Sequence, residues 1–338
     1  MKTKYQNAFF VFGIAVLALM LAQLDFSQAW HGLLHAGYWF VAVVALWAAL
    51  YVFNTVSWML IIKSGGKADI SWIWLYKITV SGFALNYATP GGLMGGEPYR
   101  IMELSPKVGA ERASSSVILY VMTHIFSHFC FWLLSVVLYL AIMPLELHSA
   151  ALLSAMVAFC ALGIWFFLSG YRKGLAVRGL KLASHIPWLG KRAAAFIDVH
   201  KAQLDEIDAQ IAAFSGQNKK TMALTVFIEL VCRVCSALEV YFILLVIQPE
   251  VDYLRCILII SFTTLFANLL FFLPLQIGGR EGGFLMSAVA MGLNASAGAF
   301  VALIVRLREL VWTGIGLLLI KARRSGNDVS IKRRQDDK

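Results

Sequence analysis

The stretch PGGLMGGEPYR, residues 90–100, decides the fold, because it places a proline, glycines and charged residues beside an apolar run. The stretch PLQIGGREGG, residues 274–283, repeats the pattern. In both, a glutamate follows a proline by seven positions, and a Gly-Gly pair lies between them. Glycine and proline interrupt regular helices, and charged side chains are costly in hydrocarbon. The two stretches therefore predict a pair of discontinuous helices around a common site.

The composition is that of a membrane protein. The chain has 338 residues, of which 60% are hydrophobic and 14% charged, whereas soluble domains have about 25% charged residues. The formal net charge is +10. Lysines and arginines cluster between apolar runs, as in cytoplasmic loops, and no basic segment carries the aromatic residues of a nucleic-acid stacking surface. We therefore predict an all-α polytopic membrane protein that does not bind nucleic acid.

Apolar runs and loop charges predict about six full transmembrane helices. Residues 7–24 form the first, which we interpret as an anchored helix because no small-residue cleavage site of a signal peptide follows it. Basic loops follow the second, fourth and sixth spans, which places both termini in the cytoplasm of a bacterial inner membrane. The other five predicted spans cover residues 37–62, 116–142, 150–169, 221–247 and 297–320.

Two further apolar segments do not fit single crossings. Residues 70–96 begin and end beside basic loops, so a re-entrant hairpin that enters from the cytoplasm is the simplest solution. Residues 256–293 follow an outer loop and precede a single final span that ends in the cytoplasm, so they make an even number of crossings from the outer face. Either one hairpin or two short helices satisfies this requirement. One broken element from each face is the pattern of a pseudo-inverted repeat, with halves at about residues 1–169 and 221–321.

The region between the halves is the longest polar stretch of the chain. Across residues 193–214, apolar residues recur every three or four positions, which predicts an amphipathic helix on the membrane or on the helix bundle. This helix lies within a cytoplasmic connector, about residues 170–220, and residues 322–338 form a basic cytoplasmic tail. All these segments belong to one predicted integral membrane domain, residues 1–338.

Charged residues inside the predicted spans indicate where a site lies. Glu229 and Arg233 are four positions apart, share a helix face and are candidates to pair. Arg306, Arg308 and Glu309 lie near the middle of the last span, where a charge costs ~2.5–3.5 kcal/mol. Two interpretations follow: the charges line a polar cavity, or they neutralise one another and hold the bundle together. Arg308 and Glu309 are adjacent and point in different directions, so one common pair does not satisfy both.

The broken helices offer a binding chemistry for anions. A half-helix N-terminus presents backbone N–H groups and a partial positive charge, and arginine adds a bidentate fork for phosphate. The alternative is that the glycines only allow close helix packing. The predicted substrate-binding residues are Pro90, Gly91, Gly92, Gly95, Gly96, Glu97, Arg100, Gly278, Gly279, Arg280, Glu281, Gly282, Arg306, Arg308 and Glu309.

Other reactive residue types give weaker patterns. His124 and His128 share a helix face, but without an HExxH pattern we interpret them as hydrogen-bonded core or interfacial residues. Cys232 and Cys235 have redox-motif spacing inside a predicted transmembrane helix, where cysteines pack as small residues. The sequence therefore predicts no catalytic residues, no metal and no cofactor.

Residues 90–100, residues 274–283 and the run Arg306-Leu307-Arg308-Glu309 together resemble the flippase-like integral membrane family. This family includes the membrane domain of lysylphosphatidylglycerol synthase, the multiple peptide resistance factor. The resemblance covers essentially the whole chain and implies a bundle with re-entrant helices that moves a phospholipid or lipid-linked substrate across the bilayer. We expect no aminoacyl-transferase domain after the last span, so the resemblance implies no synthase activity.

We therefore expect transbilayer movement of an anionic phospholipid or lipid-linked substrate through a polar site at the membrane midplane. The expected partners are that lipid and the bilayer, and a homo-oligomer is compatible with the pattern. Two alternatives remain open. The chain could be a membrane enzyme or accessory factor in lipid or lipid-linked glycan modification, or a structural partner of another membrane protein.

Overall fold

The computed structural model describes residues 26–88, 95–173, 219–248, 250–270 and 278–336, together with Asp205 and Ala209. Regular structure in these residues is entirely helical, which confirms the all-α prediction. The predicted first span, the connector helix at 193–214, both break prolines, Gly91 and Gly92 lie outside the described residues.

The described part contains ten helices. In chain order they are α1 Phe26–Ala36, α2 Tyr38–Ser64, α3 Trp72–Ala88, α4 Gly96–Val108, α5 Ala110–Ile142, α6 Leu147–Lys173, α7 Lys219–Leu244, α8 Tyr253–Leu269, α9 Gly279–Ala290 and α10 Ala295–Asp336.

Among the described residues, three helices are long and apolar enough to cross a membrane: α2, α5 and residues 147–169 of α6. They match three of the predicted spans. Helices α7 and α10 are longer than 20 residues, the length that spans a bilayer, but both carry charged residues along their middle. The count of six full spans and the direction in which each hairpin enters the membrane stay predictions.

Both predicted breaks separate two packed antiparallel helices. In the first hairpin, Gly96 at the start of α4 contacts Asn86 near the end of α3, and the later Arg100 contacts the earlier Thr79. In the second hairpin, Thr263 of α8 lies beside Ser287 of α9. The second helix of the first hairpin begins at Gly96, where the predicted segment 70–96 ends, and that of the second hairpin begins at Gly279. The acidic residue of each motif therefore lies in the first helical turn, where a negative charge is favourable.

The helices form two compact units. Unit 1 comprises Met1–Val52, Ser71–Arg100 and Cys235–Lys338, and unit 2 comprises Phe53–Ile70 and Ile101–Val234. Unit 1 thus contains both hairpins, apart from the last part of α4, and it combines segments from both predicted halves of the chain.

The core of unit 1 is aromatic and centres on α3 and α10. Tyr51 of α2 packs edge-on against Trp312 of α10, with ring centroids 4.9 Å apart, and both side chains are buried with Val80. The Ser81 hydroxyl donates to the Gly316 carbonyl at 3.0 Å. This contact holds the first hairpin against the helix that carries the midspan charges.

Unit 2 is built on α5 and α6. Phe129 and Trp132 of α5 pack against Phe159 of α6, and Gly163 makes room for the Phe129 ring. At the other end of α5, Arg112 donates hydrogen bonds to carbonyl groups of the α2–α3 connection, including Gly66 at 2.6 Å. Unit 2 therefore joins the ends of its helices by polar contacts and their middles by aromatic packing.

Candidate functional site

The first break is closed by a network around Asn86. The Gly96 N–H donates to Asn86 Oδ1 at 2.8 Å, and Asn86 Nδ2 donates to Glu97 Oε1 at 2.9 Å. The same Glu97 oxygen accepts from Arg100 Nη1 at 3.2 Å. Arg100 is 1% exposed and also donates to the Thr79 carbonyl at 3.4 Å. The first amide of α4 and both charges of the motif thus already have partners within the protein.

Gly96 occupies a position where no side chain fits. A Cβ atom there would overlap the Gly82 carbonyl oxygen and would also lie 2.7 Å from Asn86 Oδ1. Close backbone approach of this kind requires glycine. At this position, therefore, the glycine serves the packing of α3 on α4, as one of the two sequence interpretations proposed.

The second break uses its glutamate in a similar way. Gly278 has φ +80°, which favours glycine, and its N–H donates to Glu281 Oε2 at 2.8 Å. The other Glu281 oxygen accepts from Arg306 of α10 at 2.5 Å. The acidic residue of the motif thus caps α9 and at the same time binds an arginine of the last helix.

A chain of alternating charges continues from this contact. Glu309 pairs with Arg280 and lies 3.6 Å from Arg306. It also lies 4.0 Å from Arg308 Nη1. Glu309 is therefore surrounded by three guanidinium groups.

This series of ion pairs ends in a buried bidentate pair. Arg308 Nε and Nη2 donate to the two oxygens of Glu239, on α7, at 2.7 and 3.0 Å. The two side chains are 2% and 1% exposed, and the Arg308 guanidinium lies over the Trp47 ring at 3.9 Å. Such a geometry offsets the desolvation of both charges better than a single contact does.

The charges balance, and their exposure is graded. Three arginines face three glutamates in this cluster, which we call the α9–α10 cluster: Glu239, Arg280, Glu281, Arg306, Arg308 and Glu309. Glu281 is 35% exposed, Arg280 25% and Arg306 16%, whereas the remaining three side chains are nearly inaccessible. An anion from outside therefore meets Arg280 and Arg306 first.

The sequence matches the family described as the lysylphosphatidylglycerol synthase TM region over residues 8–316. The chain belongs to this family. The lysylphosphatidylglycerol synthase TM region is a membrane domain linked to lipid handling, and the whole α9–α10 cluster lies inside the matched residues. No curated protein and no solved structure is significantly similar to the chain.

In this family member, an aromatic bridge links the two break motifs. The Arg100 guanidinium lies 4.7 Å from the Phe83 ring, and Phe83 packs on Tyr51 at 5.3 Å. Tyr51 in turn contacts Trp47, with ring centroids 5.8 Å apart. The Arg308 guanidinium lies over the Trp47 ring. Arg280 lies 6.0 Å from the ring of Tyr87, at the end of α3. Residues of the two hairpins are thus connected through side chains of unit 1.

The predicted site residues fall into two groups. Gly96, Glu97 and Arg100 form the first break network, which Gly95 directly precedes. The residues that lie in or beside the α9–α10 cluster are Gly278, Gly279, Arg280, Glu281, Gly282, Arg306, Arg308 and Glu309. Sequence reasoning did not place Asn86 or Glu239 in the site. Each is a polar residue in an apolar run, which is the signal that could have found it.

The described residues contain no group of three or more His, Cys, Asp and Glu side chains that could hold a metal ion. All five cysteines are free.

Proposed function

We propose that this chain moves an anionic phospholipid or lipid-linked substrate from one leaflet to the other, with the headgroup held at the α9–α10 cluster. The observation that carries the proposal is the position of Glu309 between Arg280 and Arg306. A headgroup phosphate presents the same charge and the same acceptor oxygens as this carboxylate. Apolar chains would remain in the bilayer.

The geometry divides the arginines by role. Arg280 and Arg306 are partly exposed, so they can exchange a carboxylate partner for a phosphate. Arg308 is buried, held by both oxygens of Glu239 and covered by Trp47. We therefore assign headgroup binding to Arg280 and Arg306, and we assign to Arg308 the positioning of Glu309.

The test is movement of labelled lipid by purified protein in proteoliposomes. Vesicles contain a fluorescent short-chain phosphatidylglycerol or phosphatidylcholine, and a membrane-impermeant reductant removes the dye signal from the outer leaflet. We expect the protein to accelerate exposure of the anionic lipid. Because a charge-assisted hydrogen bond contributes about 1.5–3 kcal/mol, Arg280→Gln and Arg306→Gln should each slow it by about 10- to 100-fold.

Arg255→Gln is the matched control. Arg255 is also an arginine of unit 1, but it is half-exposed and pairs with Asp252 at 3.6 Å. Its variant should move lipid at the wild-type rate. If wild-type protein moves no lipid of a broad anionic panel but chemically alters one, the enzyme alternative replaces the proposal. If folded Arg280→Gln and Arg306→Gln proteins keep full activity, the assigned site is wrong.

The inverted arrangement of the hairpins needs its own measurement. Single cysteines introduced at Glu97 and at Glu281, in an otherwise cysteine-free chain, are treated with an impermeant thiol reagent from each side of sealed vesicles. The proposed topology predicts labelling from opposite faces. Labelling of both positions from one face only would contradict it.

A further inference from the structure

Unit 2 contains a second polar cluster that the proposed function does not use. His124 on α5 and Glu229 on α7 are 105 positions apart, and His124 Nδ1 lies 2.8 Å from Glu229 Oε2. Glu229 is 1% exposed and His124 is 27% exposed. The pair therefore has an accessible histidine and an inaccessible carboxylate.

Arg233 lies one helical turn after Glu229 and contacts the opposite helix. Its Nε donates to Ser127 Oγ at 2.7 Å, and its Nη2 donates to the His124 carbonyl at 2.6 Å. With Glu229 and Arg233 both ionised, the three groups carry no net charge while His124 is neutral. Protonation of His124 gives the cluster one positive charge.

His128 extends the cluster along α5. Its ring is perpendicular to that of His124, at 5.7 Å between centroids. Its Nδ1 is buried and makes no hydrogen bond within the described part of the chain. A second, buried imidazole thus stands beside the first.

Apart from Arg233, the other titratable groups around the pair are tyrosine, cysteine and histidine side chains. Tyr120 of α5 lies 6.1 Å from the His124 ring and donates to Asn54 of α2 at 3.1 Å. In the part of the chain that the structure describes, the titratable groups that face the pair or Arg233 are His128, Tyr120 and Cys130 on α5 and Arg233 and Cys232 on α7, with Cys160 of α6 beside Cys130. Near neutral pH, His124 is therefore the group of this cluster whose charge changes.

We propose that His124 and Glu229 form a proton-binding site in the membrane-spanning part of unit 2. The contact with the Glu229 carboxylate fixes Nδ1 of His124 as the donor in the neutral ring, since an ionised carboxylate only accepts. The proton is then gained and lost at Nε2. Glu229 stabilises the resulting imidazolium without taking the proton itself.

A purely structural pair would not need a histidine. Arginine keeps its charge at every physiological pH, whereas histidine is the side chain whose charge changes between about pH 5 and 8. Intramembrane ionisable residues that pair across helices are typical of proton relays. The cluster thus has the composition of a site that responds to proton concentration, independently of whether the chain moves lipid.

The test measures protonation directly, on the full chain in lipid nanodiscs labelled with ¹⁵N-histidine and without any lipid substrate. The His124 signals are assigned by their loss in His124→Gln, with His124→Asn as the second assignment variant. We expect the two unlike nitrogens of neutral His124 to become two protonated nitrogens between about pH 5 and 8. A His124 ring that stays in one form throughout that range overturns the proposal.

Glu229→Gln separates the charge of the carboxylate from its hydrogen bond, because the amide oxygen still accepts. Half-protonation of His124 should then require a roughly tenfold higher proton concentration, because a nearby opposite charge has been lost. The matched control is Glu146→Gln, which makes the same change of charge at an exposed pair with His148, 3.6 Å apart, and should leave the His124 signals unchanged. A His124 ring that responds to Glu229→Gln no more than to Glu146→Gln would reduce Glu229 to a packing role and overturn the proposal.

Discussion

The buried pair of Arg308 and Glu239 gives the sharpest prediction about stability. Replacement of Glu239 by leucine leaves a guanidinium with 2% exposure without the two hydrogen bonds of 2.7 and 3.0 Å. Removing one partner of a buried pair costs about 3–5 kcal/mol, because the other charge stays desolvated. The Trp47 ring and the Glu309 carboxylate at 4.0 Å offset only part of this cost.

The double variant Glu239→Leu/Arg308→Met should be less destabilised than Glu239→Leu alone. The double variant removes both charges and therefore both desolvation costs, and apolar groups of similar volume fill the site. Glu309 keeps Arg280 and Arg306 as partners. We expect the free energy of unfolding of the double variant to lie within about 2 kcal/mol of the wild-type value.

The assay is reversible unfolding in mixed micelles of increasing SDS fraction, followed by circular dichroism. The exposed pair of Arg255 and Asp252, at 3.6 Å, provides the control: its variants should change the unfolding free energy by less than about 1 kcal/mol. The reasoning about buried charge is refuted if Glu239→Leu lowers the free energy of unfolding no more than the control variants do. It is also refuted if the double variant is less stable than Glu239→Leu.

Two further predictions concern the first hairpin. Gly316→Ala should lower the free energy of unfolding by about 1–3 kcal/mol, because the new Cβ would overlap Ala84 and lie 3.0 Å from the Val80 carbonyl oxygen. At Gly314, a new Cβ meets no atom within 4 Å. Gly314→Ala should therefore leave the free energy of unfolding unchanged or raise it by up to about 1 kcal/mol. The same unfolding assay compares them, and equal effects would contradict the packing argument. Asn86→Ala removes hydrogen bonds to Gly96 and Glu97 and should lower the stability of the hairpin by about 1–3 kcal/mol. The measurement is hydrogen exchange, and amides at the start of α4 should exchange faster in the variant. Unchanged exchange would exclude Asn86 as the residue that holds the two helices of this hairpin together.

Patterns within one segment could be predicted from the sequence, whereas contacts between distant segments could not. The proline-to-glutamate spacing identified both helix breaks, since glycine and proline act locally on the backbone. The four-residue spacing of Glu229 and Arg233 suggested a pair, but the structure gives Glu229 a partner on another helix, His124. The partner of Arg308 lies 69 positions away. That partner is Glu239 of α7, and no local pattern encodes the choice.

The charges of the last span illustrate the same division. Their position in an apolar run predicted a polar cluster, and Arg308 and Glu309 do point to different main partners. Whether those charges line a site or neutralise one another depends on exposure, which the sequence does not carry. The gradient from Glu281 at 35% to Glu239 at 1% shows how one cluster can have a neutralised inner end and an accessible outer end.

The aromatic bridge gives the protein an intrinsic optical reporter. Tyr51 lies 5.8 Å from Trp47 and 4.9 Å from Trp312, distances at which excitation absorbed by the tyrosine passes to the indoles. The excited indole of Trp47 shifts charge across its ring beneath a guanidinium at 3.9 Å, so its emission wavelength depends on where that cation sits. In a chain that keeps Trp47 as its single tryptophan, the emission wavelength would follow the electrostatic state of the cluster with no attached dye.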